Sequence, residues 1–329
     1  RDFCLSRGLG DVYKRQLEGV AAALAHDKDL EIILCGPANV VEPFAQKQER
    51  CTAQVATESI AMDEHPAQAV RKKKDSSIVV GCRMVKEGRA QGFFSPGSTG
   101  AVLAAATLVI GRIKGVARPA LCSVIPSPKK PVVMADIGAN ADCKPAYLVQ
   151  FAQMAGTYAE KVLDVENPKI ALLNIGEEET KGSKFSQESF ALMKEAIPNF
   201  YGNAEGCDIL MGEPDVYITD GFTGNVCIKT IEGTTKTLFG ALKEIMMSSL
   251  STKLAALALK GGLSELKETT SADTYGGAPL LGVKGACLVG HGSSNAKAIE
   301  NGINTTAKTI RLNVSGIIEQ MVSAGKSVE

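Results

Sequence analysis

The sequence predicts an α/β protein, a three-layer αβα fold with a mostly parallel sheet and a protruding helical hairpin. Three observations carry this. A strand-to-loop-to-helix unit recurs four times, helix and strand patterns alternate from Leu17 to the carboxyl terminus with no linker rich in Pro, Ser or charge, and one long helical stretch breaks the rhythm. At 329 residues, 45% hydrophobic and 22% charged, the chain can bury a large core.

The first sixteen residues show neither helical nor strand periodicity. A helix over Leu17 to Ala25 and a strand over Ile32 to Leu34 open the alternation. The four loops follow in order: Phe93–Gly100, Asp136–Asp142, Asn174–Glu179 and Thr219–Asn225. Each follows a short apolar run, as Pro131–Met134 precedes the second and Asp215–Ile218 the fourth, so each reads as the carboxyl end of a buried strand. All four are expected on one sheet edge, where backbone N–H groups and helix N-termini hold anions such as phosphate. From Glu232 to Asp273, Leu238, Leu242, Ile245 and Met246 make a helical stripe. Leu254, Leu257 and Leu259 then cluster before a Gly261-Gly262 break, with Leu263 and Leu266 beyond it. This predicts a hairpin over about 232–273 with an apolar tip, either a packed or dimer contact or a surface that touches membrane or a partner.

Charge and cysteine usage exclude several classes. Lys plus Arg equals Asp plus Glu at 36 each, so no overall field favours nucleic acid. The nine Cys are never closer than Cys35 and Cys51, and with three His no metal site is expected. That scatter fits a reducing cytoplasm. The longest apolar stretch, Ala101 to Ile110, is about half of a membrane span.

No GxSxG elbow and no adjacent Cys–His pair supplies a nucleophile. His291, inside Gly290–Asn295, reads equally as a structural or a site residue. Positive charge follows the loops at Lys144, Lys181, Lys184 and Lys229, and Arg71 to Lys74 form a basic run. Carboxylates on the same loops, including Asp142, Glu177 and Asp220, could cap helices, orient a Lys or bind a cation, capping being the commonest.

Six stretches in order, Ser95–Ala101, Asp136–Asp142, Leu172–Glu177, Asp220–Gly233, Tyr275–Gly282 and His291–Ser293, resemble the signature loops of the bacterial phosphate acyltransferase family known as PlsX. Pro96 and Ser98 stand where that family usually has Ala and Asn. The family opens with a strand and an Asp-Ala-Met-Gly-Gly-Asp loop that residues 1–16 do not reproduce. These sixteen are therefore expected to be non-native, and a single α/β domain is expected over 17–329. The resemblance implies a fold like isocitrate and isopropylmalate dehydrogenase, and transfer of an acyl group from acyl–acyl carrier protein to inorganic phosphate in phospholipid synthesis.

Phosphate is already an anionic nucleophile, so under this reading the missing Ser or Cys is an expected absence. The expected phosphate and substrate contacts are Ser95, Thr99, Gly100, Asn140, Asp142, Gly176, Asp220, Gly224 and Asn225. Lys144, Lys181 or Lys229 would supply charge, and His291 would polarise or protonate. Leu254, Leu257, Leu259 and Leu263 would meet acyl chains or membrane. The implied setting is a cytoplasmic homodimer without cofactor or metal, peripheral on the inner face of the cell membrane. Three alternatives remain open: a phosphotransacetylase of short acyl-coenzyme A, an NAD-dependent hydroxy-acid dehydrogenase of the same fold, and an inactive membrane-associated scaffold lacking the first phosphate loop.

Overall fold

The computed structural model describes residues 4–5, 11–269 and 271–324. In chain order the strands are β1 (Cys4–Leu5), β2 (Ile32–Gly36), β3 (Cys51–Val55), β4 (Gly92–Ser95), β5 (Ala120–Ile125), β6 (Val132–Ala135), β7 (Ile170–Leu173), β8 (Phe200–Ala204), β9 (Val216–Ile218), β10 (Ala278–Leu281) and β11 (Ala286–Val289). The helices are α1 (Asp11–His26), α2 (Ala38–Ala45), α3 (Pro66–Lys72), α4 (Ser77–Lys86), α5 (Thr99–Ala105), α6 (Pro145–Val162), α7 (Lys184–Ala196), α8 (Gly221–Met247), α9 (Leu250–Thr269), α10 (Ala296–Arg311) and α11 (Val314–Ala324).

Three layers follow from strand alternation. Phe93, Leu121, Ile125 and Met134 face one core with α4, α5 and the buried Ile228 of α8. Their neighbours turn the other way: Cys122, Val124 and Val133 pack on α6, and Phe94 and Leu288 pack on α1 and α10. Successive residues of buried strands are thus apolar on both faces.

Strands β1, β2 and β3 form one parallel sheet, and the other eight run in the order β4-β11-β10-β5-β6-β9-β7-β8. Among the described strands only the β11/β10, β10/β5 and β5/β6 pairs are antiparallel, so the predicted mostly parallel sheet is observed. Those three reversals have a consequence for the site. Strand β4 points opposite to β6, β9 and β7, which are parallel to one another.

Two expectations are corrected. Helix α1 begins at Asp11, six residues before Leu17. Its stripe of Gln16, Val20, Ala23 and Leu24 is buried, and the polar Gln16 hides the period in the sequence. Gly19 lets α1 close on α10, since a Cβ there would stand 2.6 Å from the Ala296 carbonyl oxygen. Cys4–Leu5 pairs in parallel with β2; residues 1–3 and 6–10 of the same segment lie outside the described residues.

The hairpin does not break at Gly261-Gly262, because α9 runs through them. Its turn is at Ser248–Ser249, where Ser249 Oγ accepts the Thr252 N–H at 3.2 Å. Two glycines cost a helix only about 1 kcal/mol each, whereas a serine at a helix start supplies the cap that makes a boundary.

Candidate active site

The structure divides the predicted site residues between two edges of the sheet. The loops after β6, β7 and β9 share one edge, and the loop after β4 leaves from the other. Between β4 and β6 lie β11, β10 and β5, four strand spacings or roughly 19 Å. One phosphate cannot be cradled from both, so the single shared edge is corrected. The run-up to each loop looks alike whichever way its strand points.

On the first edge, polar groups are spent on one another. Asp136 is wholly buried, and its Oδ1 accepts the N–H groups of Leu121, Gly138 and Ala139 at 3.0, 3.1 and 3.0 Å. Its Oδ2 accepts both the backbone N–H and Nδ2 of Asn140, at 2.7 and 2.8 Å. Asn140 Nδ2 uses its second hydrogen on the Pro119 carbonyl. Asp220 caps α8, taking the Thr223 N–H and hydroxyl on its two oxygens. Asn225 Nδ2 donates to the Ile137 carbonyl at 3.1 Å.

Glycines let these parts meet. A Cβ on Gly221 would stand 2.6 Å from the Asn140 carbonyl oxygen, and one on Gly224 only 1.9 Å from that of Asp136. Gly176 sits inside the third loop, which Asn174 closes by donating Nδ2 to the Lys181 carbonyl. The cations are mostly spent too: Lys181 pairs with Glu178 at 3.8 Å and Lys229 with Glu232 at 2.6 Å. Lys144, at the start of α6, is exposed and makes no ion pair among the described residues, and Asp142 beside it is exposed as well. Apart from Asp142 and Lys144, this edge is stitched closed.

The second edge carries the loop after β4 and the loop of His291. Ser95 is buried with its Oγ accepting the Gly97 N–H, and Ser98 caps α5, so the Thr99 and Gly100 backbone opens a helix N-terminus. The Gly290 N–H donates to the Ser95 carbonyl at 2.9 Å, which places the His291 loop beside the Ser95 loop. The Ser293 N–H donates to His291 Nδ1, and the Ser293 hydroxyl lies 2.6 Å from it. With Nδ1 accepting from the Ser293 N–H, Nε2 is left as the ring donor available to a ligand.

Beside this edge runs an apolar groove of about 1140 Å³, which sequence reasoning missed. Its floor is the end of β5 from Ser123 to Ile125, and its walls are Ile228, Phe239 and Met246 of α8 with Leu263 of α9. Asp273 lines the groove and accepts Asn295 Nδ2 at 2.7 Å, joining it to the loop that carries His291. Of the predicted stripe in α8, Leu242 and Met246 line the groove, whereas Leu238 and Ile245 are exposed, and Phe239 takes the groove-facing place instead. Of the predicted apolar contacts, Leu263 lines the groove, whereas Leu254, Leu257 and Leu259 remain 60–70% exposed on α9.

No activated thiol is seen among the described residues. Burial pushes Cys51 and Cys143 up to about 11, and Cys287 up to about 12. Cys82 and Cys122 are held well above the ordinary thiol value, chiefly by burial.

The chain has a mixed α/β fold whose solved structural neighbours include phosphotransacylases. A phosphotransacetylase from Streptococcus pyogenes superposes with a TM-score of 0.61 at 18% identity, over 94% of both chains. A branched-chain phosphotransacylase from Enterococcus faecalis gives 0.60 at 14% identity, over 94% of this chain and 98% of its own. The chain belongs to the fatty acid synthesis protein family, whose profile it matches over residues 11–316. It is 48% identical to a phosphate acyltransferase of Desulfitobacterium hafniense, over 89% of this chain and 88% of that one.

Proposed function

We propose that the chain transfers an acyl group from acyl–acyl carrier protein to inorganic phosphate, giving acyl phosphate for phospholipid synthesis. The observation that carries this reading is an apolar groove joined, through Asp273 and Asn295, to an edge that offers a helix N-terminus and an imidazole but no activated nucleophile. Phosphate bound at the start of α5, by Ser95 and the N–H groups of Thr99 and Gly100, would attack the thioester carbonyl directly. A phosphate oxygen bonds to the carbonyl carbon, the carbon–sulfur bond breaks, and the carrier thiolate takes up a proton. His291 Nε2–H stabilises the oxyanion or supplies that proton. Asn140, Asp220, Gly224 and Asn225 then hold the far edge together rather than the reacting atoms, and Asp142, Lys144, Gly176, Lys181 and Lys229 lie on that same edge.

The test is one assay with three substrate sets: palmitoyl–carrier protein with phosphate, acetyl-coenzyme A with phosphate, and NAD⁺ with a hydroxy acid. Hydroxylamine-trappable acyl phosphate should form from the first set. Product from acetyl-coenzyme A alone, or reduction of NAD⁺, would replace this function with another.

The hairpin extends the reading to location. No helix among the described residues is long and apolar enough to cross a membrane. Leu250 and Leu254, nearest the turn, are 81% and 70% exposed. We assign the outer leucines of α9 to a homodimer contact and to the inner face of the cell membrane, where the product would be released.

A further inference from the structure

We infer that a basic strip on α3 and α4 docks an acidic face of the acyl carrier protein and so presents its thioester to the second edge. This rests on the proposed function and adds where the protein part of the substrate sits. Between Pro66 and Arg89 stand seven Lys and Arg against two carboxylates, Asp75 and Glu87, in a chain whose total charge is zero. Arg71 and Lys72 close α3, Lys74 follows two residues on, and Arg83 and Lys86 lie one turn apart on α4. The Arg83 guanidinium donates to the Lys74 carbonyl at 2.8 Å, which joins the cations of the two helices into one surface.

Most of this charge is not used inside the molecule. Arg71, Lys72, Lys74 and Lys86 are exposed and make no ion pair among the described residues, whereas Lys73 is held by Glu64 at 2.7 Å. Asp75 is spent on Thr57, whose N–H it accepts at 2.9 Å. The unanswered cations therefore call for an acidic partner.

Position decides which partner. Pro66, at the start of α3, packs on the candidate phosphate site, since a Cβ on Gly100 would stand 2.7 Å from its Cγ. Lys72 is six residues further, roughly 9 Å along the helix. On the other side Met62 is 66% exposed beside the His291 loop, where a Cβ on Gly292 would stand 3.3 Å from its Cε. An exposed methionine next to the site, bordered by cations, matches the apolar centre and polar rim of a protein contact. A membrane surface would have no need of this proximity, but a carrier whose thioester must reach Gly100 does. Rim charges act mainly on encounter, so their effect belongs in KM and falls as salt rises.

The experiment uses the full chain and palmitoyl–carrier protein at low and high salt, about 0.05 and 0.3 M. The variant Arg71→Gln, Lys72→Gln, Lys74→Gln, Lys86→Gln should raise KM for the carrier substrate at least tenfold at low salt and leave kcat within twofold. It should also flatten the rise of KM with salt. With the neutral decanoyl thioester of N-acetylcysteamine, which has no protein part, kcat/KM should stay within twofold of the parent chain, a readout that a distorted site would move. If the quadruple variant unfolds, the pair Lys72→Glu, Lys86→Glu takes its place. A carrier KM indifferent to these changes overturns the assignment. So does a variant that loses flotation with anionic vesicles while the carrier KM holds, because the strip then meets lipid. Binding of the unacylated carrier protein is measured separately by calorimetry. A chain that makes acyl phosphate with carrier affinity independent of the strip refutes the strip alone, and one that binds the carrier through the strip without turnover refutes the activity alone.

Discussion

Asp136 shows how a single residue can dictate local structure without touching substrate. Burial pushes its carboxyl up from the ordinary range, and hydrogen bonds from Ala139, Asn140, Gly138 and Leu121 oppose that shift without cancelling it. A carboxyl raised in the native state binds more protons there than in the unfolded chain. Its contribution to stability is therefore greatest below the ordinary carboxylate pKa and falls as pH rises towards the raised value. Asp136→Asn should flatten that part of the curve. It should also cost about 1–3 kcal/mol at neutral pH, because an amide nitrogen would face the Asn140 donors. Urea unfolding at several pH values checks both, and an unchanged curve would remove Asp136 from its organising role. His291 and Lys229 make a second pair. His291→Gln should lower turnover about a hundredfold, as loss of a proton donor does, whereas Lys229→Met should leave it within about twofold. Steady-state rates with palmitoyl–carrier protein decide between the two edges.

Helix α8 ties the stitched edge to the groove, and its glycines are not equivalent. Gly224→Ala would drive a Cβ to 1.9 Å from the Asp136 carbonyl oxygen, so the first turn must move, at a cost of about 3 kcal/mol. Gly233 meets nothing within 4 Å, and Gly233→Ala should stabilise the helix by about 0.5–1 kcal/mol. Thermal unfolding midpoints shifting in the same direction would contradict this. At the far end, Leu254→Gln with Leu257→Gln should abolish flotation with anionic vesicles while the fold is retained; unchanged flotation would leave these leucines to a dimer contact. Most elements were legible in the sequence, because apolar runs closed by Gly, Asn and Asp mark strand ends whatever surrounds them. Strand direction was not, since nothing in Phe93–Ser95 or Val132–Ala135 says which way each strand runs. The Ser248–Ser249 turn was hidden for a related reason: a glycine pair is a louder local signal than a serine cap, but a weaker physical one.

Across the whole molecule, the two edges differ in what lies beside them, since the second is joined through Asn295 and Asp273 to the apolar groove, which no sequence motif reveals. Asn140 and Asp220 look like ligand groups until their hydrogen bonds are traced to Asp136, Pro119 and Thr223. Under the proposed function, Thr99, Gly100 and His291 matter because the fold sets their loops on the edge joined to the groove. The same accounting bears on mechanism. A side-chain nucleophile needs a lowered pKa or an adjacent base, and the shifted thiols of this chain shift upward, Cys143 reaching about 11 next to the stitched loop. Phosphate arrives ionised, so the direct path needs only that it be held and that the oxyanion find donors. We therefore expect no acyl-enzyme: replacing Cys143 or Cys227 by Ala should leave the rate of acyl phosphate formation within about twofold, far from the hundredfold losses that follow removal of a transition-state donor. Incubating the chain with palmitoyl–carrier protein in the absence of phosphate and weighing the intact protein is the decisive measurement. A mass increase of one palmitoyl group, stable to unfolding and discharged when phosphate is added, would overturn direct transfer in favour of a covalent intermediate. The expected spectrum shows the unmodified chain, with carrier protein released only after phosphate is supplied.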